Sequence, residues 1–136
     1  MIFDTHVHTR YSGDSQMEPG EAIASASKLG LGLCLTEHVD YECDEDEVFV
    51  TDTDSYFSEY AAYKPRGLLL GLEIGLTVNT RAISRRTASD KRLDFCVGSV
   101  HVVYGYDIYK SFWSQSVPPE EIMRDYLRYT LTVIDK

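Results

Sequence analysis

The sequence has few cysteines and no long apolar run, and each shortage excludes a class of protein. Its three cysteines are an odd number, without C-x-x-C or Cys/His finger spacing, so a structural zinc finger is excluded and free thiols are expected. A membrane helix needs about 18 consecutive apolar residues, and none of the segments reaches that length. The start, Met-Ile-Phe-Asp, lacks the basic and apolar regions of a signal peptide. We therefore expect a cytoplasmic protein without a membrane partner.

Positive charge is also scarce. The chain has 13 Lys and Arg against 22 Asp and Glu, a formal net charge of -9. Such a surface repels a nucleic-acid backbone, so nucleic acid is not expected as the main partner, and part of the acidity can serve to hold cations. With 136 residues, of which 43% are hydrophobic, the chain is long enough for one domain with a real core.

Apolar periodicity predicts strands that alternate with helices. In such an order the strands run parallel and the helices cross over between them, as in an open α/β sheet or part of a barrel. We expect Cys34 and Cys96 to be buried in their strands. The predicted apolar stripe of the first helix consists of Ala22, Ile23, Ala26 and Leu29, and that of the last helix consists of Ile122, Tyr126, Leu127, Leu131 and Ile134. The predicted strands cover residues 2–8, 31–38, 67–74 and 93–101, and the predicted helices begin near residues 18, 54, 79 and 118.

Histidines and a glutamate stand at or near the ends of the predicted strands. Parallel strands place their carboxyl ends at one edge, where α/β proteins bind ligands. Alternation puts Asp4, His6 and His8 on one face of the first strand. Glu73 ends an apolar strand and needs a partner, because an isolated buried carboxylate is strongly disfavoured. Four separately hydrogen-bonded core histidines at this edge would be a coincidence, so we predict a metal site. The candidate ligands are His6, His8, Asp14, His38, Glu73 and His101.

Three other segments each allow two interpretations. Residues 39–53 are rich in Asp and Glu, which is typical of a solvated loop, with a separate cation site as the alternative. The basic segment 79–92 is interpreted as a solvated helix face or as an attractor of anions. An aromatic group after the fourth strand packs internally or forms the wall of a pocket. Its members are Tyr104, Tyr106, Tyr109, Phe112 and Trp113.

Four motifs follow one another over nearly the whole chain: D-T-H-V-H-T-R-Y-S-G-D from Asp4, L-T-E-H-V-D from Leu35, G-L-E-I-G from Gly71 and D-F-C-V-G-S-V-H from Asp94. Together they resemble the first motifs of the polymerase and histidinol phosphatase (PHP) superfamily. The T-E-H-V-D and D-F-x-x-x-S-V-H forms resemble the histidinol-phosphate phosphatase branch most closely. The resemblance implies an α/β fold, namely the N-terminal part of a distorted (β/α) barrel with about four parallel strands.

The resemblance also implies a cluster of up to three divalent metal ions. Mixed imidazole and carboxylate ligation suits zinc, manganese or iron. The implied ligands are His6, His8 and Glu73 for one ion, Glu73 and His101 for a second, and Asp14 and His38 for a third. No histidine is then left as a general acid, and Asp40 or a tyrosine stays open for that role.

The function implied by this resemblance is a metal-dependent phosphomonoesterase whose partner is a small phosphomonoester, L-histidinol phosphate in histidine biosynthesis. One alternative is another phosphoesterase of the superfamily, acting on nucleotides or nucleic acid. The other is a catalytically incomplete, metal-binding fragment.

Family members run to roughly twice this length, the size of a complete barrel, and their later strands add further metal ligands. We therefore predict that residues 1–136 are a single PHP domain truncated at its C-terminal side. Four strands leave an open edge, which is prone to pair with another copy. We expect the chain on its own to be either a homo-oligomer formed through this edge or weakly active.

Overall fold

The computed structural model describes residues 2–42, 49–112 and 116–134, in which strands and helices alternate as predicted. The acidic run at 43–48 and Trp113 lie outside the described residues. Within these ranges, no helix combines the length and the apolar character needed to cross a bilayer. The elements are β1 (Phe3–Val7), α1 (Pro19–Lys28), β2 (Gly32–Val39), α2 (Thr53–Tyr60), a 3-10 helix (Ala61–Arg66), β3 (Leu68–Gly75), α3 (Arg81–Ala88), β4 (Phe95–Ser99), β5 (Val102–Val103), β6 (Tyr106–Asp107), a π-helical turn (Ile108–Phe112) and α4 (Pro119–Ile134).

The main sheet is fully parallel and its spatial order, β1-β2-β3-β4, follows the chain. The two central strands are buried along almost their whole length, as expected of parallel strands covered on both faces. The two edge strands are largely exposed. The predicted α/β class is therefore confirmed, and the sheet has the open edges that four strands imply.

The core lies between the central strands and α2. Leucines of β2 and β3, among them Leu35 and Leu72, pack against the aromatic side of α2. Tyr56 is fully buried and its hydroxyl donates to the carbonyl of Gly71 at 3.1 Å, so its polar atom is satisfied inside the core. Asp52 caps α2 by accepting from the backbone N–H groups of Asp54 and Ser55. This packing fixes the central strands, and with them the residues at their carboxyl ends.

Two predictions of burial are wrong, because one residue lies at the end of a helix and the other in an edge strand. Leu29 is 74% exposed, since it is the residue that ends α1 rather than part of its packed face. Cys96 is exposed because β4 is an edge strand. Cys34, in the central strand β2, is fully buried as predicted.

Helix α4 packs through a stripe that matches the predicted one only at Ile122 and Tyr126. Leu127, Leu131 and Ile134 are 54%, 54% and 56% exposed. The helix has apolar residues on two sides, and local periodicity cannot tell which side meets the sheet. The stripe that packs consists of Ile122, Tyr129 and Val133, against Val100 and Val103. The second apolar stripe is left uncovered by the described residues.

We predict that Gly71→Ala lowers the free energy of unfolding by about 1–3 kcal/mol. A Cβ at this position would lie 2.9 Å from the carbonyl oxygen of Phe95 and 3.0 Å from that of Leu35, and backbone atoms of a buried sheet have little room to move. Gly20→Ala in α1 is the control: nothing lies within 4 Å of its Cβ, so stability should stay or rise by up to about 1 kcal/mol. Urea unfolding measures the free energy of unfolding of both variants. An equal change in Gly71→Ala and Gly20→Ala would contradict the packing argument.

Candidate metal centre

All six candidate ligands lie at the carboxyl edge of the sheet. His6 belongs to β1 and His8 directly follows that strand. His38 in β2 and Glu73 in β3 are register partners, so their side chains start from adjacent backbone positions. His101 comes two residues after β4. The strand order therefore gathers side chains that are up to 95 residues apart in the chain, as the sequence predicts.

Glu73 is the centre of the cluster. Its carboxylate is almost completely buried, and the Nε2 atoms of four imidazoles surround it. The distances to the nearer Glu73 oxygen are 2.8 Å from His6, 3.3 Å from His8, 3.7 Å from His38 and 3.1 Å from His101. One carboxylate thus faces every histidine of the chain, which is the arrangement expected of a ligand that bridges two cations.

Asp14 completes the cluster from the loop after β1. Its Oδ2 lies 3.5 Å from Nε2 of His38, whose ring stacks on that of His8 with centroids 4.5 Å apart. Three sets of three residues bring their ligand atoms within 4.8 Å of one another: His6, His8 and Glu73; His8, Asp14 and His38; and His38, Asp40 and His101. Such sets of nitrogen and oxygen donors fit a transition-metal ion. Asp4 belongs to none of these groups among the described residues, and its Oδ1 accepts from the backbone N–H of His6.

Asp40 connects two of the histidines through their Nδ1 atoms. The sequence analysis missed this role. Its two carboxylate oxygens lie 2.9 Å from Nδ1 of His38 and 2.9 Å from Nδ1 of His101. Because Asp40 accepts at Nδ1, both rings turn Nε2 towards the cluster, as in carboxylate–histidine–metal arrangements. Gly75 makes room for it, since a Cβ there would overlap the Asp40 carboxylate. The sequence signal for this role was that Asp40 comes two residues after His38, so strand alternation places the two side chains on the same face.

The buried carboxylate of Glu73 is ionised at neutral pH. Burial opposes the charged form of Glu73, but hydrogen bonds with His101, Ser99 and His6 outweigh it and hold the pKa of this carboxyl well below its usual range. Burial likewise disfavours charge on His101, yet its hydrogen bonds with Asp40 and Glu73 raise the pKa of that imidazole to about 10. The cluster therefore attracts positive charge, which is the electrostatic condition for holding cations.

Behind the ligands, a second buried carboxylate fixes the loop that carries Asp14. Glu37 is fully buried and accepts from the backbone N–H of Thr9 at 3.0 Å and from the hydroxyl of Ser12 at 2.6 Å. The same Ser12 oxygen accepts from the backbone N–H of His38 at 3.0 Å. The loop after β1 is thereby tied to β2. The sequence showed Glu37 beside His38 but not which groups would satisfy it.

A cavity of about 260 Å³ opens beside the cluster. Three candidate ligands line it, and Phe49, Tyr109 and Lys110 are among its other lining residues. Tyr109 is thus a pocket residue, as one of the two interpretations predicted, whereas Tyr104 packs edge-to-face on Tyr129. The side chains of Phe112 and Trp113 lie outside the described part of the structure. A larger cavity of about 550 Å³, between α4 and the β5–β6 hairpin, contains none of the candidate ligands.

The family model of the PHP domain matches residues 4–134, which is almost the whole chain and includes every residue of the cluster. The chain belongs to the PHP domain family. Among relatives of this PHP domain is a probable histidinol-phosphatase of Clostridium acetobutylicum, 36% identical over 134 residues that cover 98% of this chain and 52% of that protein. A histidinol-phosphatase of Lactococcus lactis is 29% identical over 139 residues, covering 96% of this chain and 51% of that protein.

A solved structure supports the same fold. It is that of histidinol phosphate phosphatase from Lactococcus lactis, complexed with zinc, L-histidinol and phosphate. The TM-score is 0.88 at 27% sequence identity, and the match covers 99% of this chain and 54% of that one. The predicted half of a (β/α) PHP barrel is therefore confirmed. The chain spans about half the length of the relatives it matches.

We predict that Ser12→Ala lowers the free energy of unfolding by about 1–3 kcal/mol, because it leaves the buried Glu37 carboxylate and the His38 N–H each without one partner. Ser27→Ala, at an exposed position of α1, is the matched control and should leave stability unchanged or slightly higher. Urea unfolding at neutral pH compares the two. A Ser12→Ala protein as stable as the Ser27→Ala control would show that the loop is not held by this network.

Proposed function

We propose that this chain is the N-terminal part of a metal-dependent phosphomonoesterase that hydrolyses L-histidinol phosphate to L-histidinol and phosphate. The observation that carries the proposal is the convergence of six ligand side chains on one strand edge, around the carboxylate of Glu73. Relatives named histidinol-phosphatase and a neighbour structure complexed with zinc, L-histidinol and phosphate support the choice of substrate.

In this proposal, the chain's side chains divide among up to three divalent ions. Asp40 keeps the Nε2 atoms of His38 and His101 directed at them, and Glu37 holds the loop that presents Asp14. When bound, closely spaced divalent ions supply a hydroxide near neutral pH and neutralise the oxygens of the phosphate. Zinc is the first ion to test, with manganese and iron next. The proposed ligands are His6, His8 and Glu73 for one ion, Glu73 and His101 for a second, and Asp14 and His38 for a third.

The size and charge of the site favour a small substrate over a polymer. The cavity beside the cluster holds about 260 Å³, which suits a small phosphomonoester. A net charge of -9 disfavours a polyanionic nucleic acid. The proposal places the reaction in histidine biosynthesis and the chain in the cytoplasm, where the free thiols of Cys34 and Cys96 would stay reduced.

A second candidate, a metal-binding fragment without turnover, is favoured by one observation: the chain spans about half the length of its relatives. Of the ions in the assignment above, one receives three protein ligands from this chain and each of the others two. We propose that further ligands come from polypeptide outside these 136 residues. The two candidates share the metal site and differ in whether phosphate is released.

We further propose that copies of the chain associate through the open sides of the sheet. β1 and β4 are edge strands with mostly exposed side chains, and unpaired parallel edges readily accept another strand. The uncovered stripe of α4, formed by Leu127, Leu131 and Ile134, adds apolar surface that favours burial. A second copy would cover these surfaces without any change in the described fold.

His6→Ala should remove about one equivalent of bound zinc per chain and lower histidinol-phosphate hydrolysis at least about 100-fold, because His6 lies within 2.8 Å of Glu73 in the group with three protein ligands. Asp4→Asn is the matched control, two residues away on the same strand but outside the ligand groups, and should change neither quantity. Elemental analysis of the zinc-loaded, dialysed chain gives the metal content, and release of phosphate gives the activity.

The wild-type results separate the candidates. Metal with turnover on histidinol phosphate, exceeding that on nucleotides or single-stranded DNA, supports the phosphatase. Metal without turnover supports the fragment. A chain that binds no metal after loading would contradict both.

Leu131→Glu should shift the sedimentation of the chain towards the monomer, because it places a charge on the apolar stripe that a second copy would bury. Leu29→Glu is the control, since Leu29 is equally apolar and 74% exposed but lies at the end of α1. Analytical ultracentrifugation over a range of concentrations measures the sedimentation of both variants and of the wild-type chain. A wild-type chain that stays monomeric throughout would refute the association.

A further inference from the structure

The cavity beside the metal centre contains one lysine, and we propose that Lys110 binds the phosphate group of the substrate. This inference rests on the proposed function and adds a residue for substrate recognition, which the metal ligands alone do not provide. Two cavities reach the ligand cluster, one through His38 and Asp14 and one through His6 and Glu73. Among the described residues that line them, Lys110 is the only lysine or arginine.

The backbone holds Lys110 close to the ligands. The N–H of Ile108 donates to the carbonyl of His101 at 2.9 Å. The first residue of the π-helical turn is therefore hydrogen-bonded to the backbone of a candidate ligand. Oδ1 of Asp107 then accepts from the N–H groups of Tyr109 at 2.6 Å and Lys110 at 3.2 Å. These three hydrogen bonds fix the start of the turn against the strand end. Lys110 is therefore presented to the cavity by the segment that follows His101.

The charge of the cavity explains why a lysine is useful there. Its lining includes the carboxylates of Asp14, Asp40 and Asp107, in a chain with a net charge of -9. A phosphomonoester carries close to two negative charges at neutral pH, so these groups repel it. Metal ions, when bound, would offset this repulsion at the cluster, and the ammonium group of Lys110 would offset it for phosphate oxygens that do not contact the ions. Lysine suits this role as a compact charge with three donors.

The same cavity also has residues that would contact the part of a small substrate other than its phosphate group. Tyr109 lies with its ring centroid 6.2 Å from that of His101, and Phe49 stands 5.1 Å from the ring of His38. Both aromatic residues line the cavity together with Lys110. Beside the candidate ligands, the cavity lining thus contains one cation and two aromatic rings, which fits a phosphate ester with a flat or apolar leaving group. Lys110 is the group in this lining that distinguishes an ester from the free alcohol.

The test is binding of inorganic phosphate to the zinc-loaded 136-residue chain, measured by titration calorimetry, with zinc content determined on the same samples. Lys110→Met should weaken phosphate binding about tenfold, the usual size of one charge-assisted contact, while zinc content and thermal stability stay at wild-type values. Lys110→Arg should keep the affinity within about threefold because it keeps the charge. Lys91→Met, at an exposed lysine outside both cavities, is the matched control and should bind phosphate like wild type.

Two results would overturn the inference, and they are distinguishable. If the wild-type chain takes up no zinc, the proposed metal centre fails and the role of Lys110 fails with it. If zinc content is normal but Lys110→Met binds phosphate as well as Lys91→Met does, only the role of Lys110 is refuted. A loss of phosphate affinity that Lys110→Arg does not share, at constant zinc content, supports it.

Discussion

The rest of the structure depends on one buried charge, the carboxylate of Glu73. Ionised groups are expensive to remove from water unless other charges or donors surround them. Here β3 carries the carboxylate into the sheet edge, and the neighbouring strands bring imidazoles to it from both sides. Asp40 and Glu37 are also buried carboxylates that need partners. Each receives hydrogen bonds from side chains or N–H groups of the same sheet edge. The carboxyl edge is thus a connected polar network on an otherwise apolar sheet.

Much of this was predictable from the sequence because it depends on local pattern and on topology. Alternating apolar strands and amphipathic helices predict a parallel sheet, and a parallel sheet collects the residues that end its strands. His38 and Glu73 could be expected together for that reason alone, before any distance was known. The family resemblance added which carboxylates belong with which histidines. For Asp14, the loop after the first strand already suggested a ligand, and the resemblance added its pairing with His38.

What the sequence did not reveal depends on packing between elements that are distant in the chain. Helix α4 is apolar on two sides, and only the position of Val100 and Val103 decides that Tyr129 and Val133 are the buried side. Cys96 has the apolar neighbours of a core residue, but its strand turned out to be an edge. The role of Asp40 was hidden for a similar reason. Its partners, His38 and His101, are 63 residues apart, and the acidic stretch around Asp40 resembled an ordinary solvated loop.

The order of the strands has a consequence for how such a chain folds as it is synthesised. Each strand of the sheet pairs with the strand made just before it, so every strand–helix unit can dock on an existing edge as it leaves the ribosome. Register partners such as Phe3 and Gly32 or Leu33 and Leu68 are separated by one helical crossover, so each pairing must wait until the next strand has been made. The six candidate ligands of this chain are all present once His101 has emerged. Because metal binding is coupled to folding, an ion held by these side chains would stabilise the sheet at that stage of synthesis.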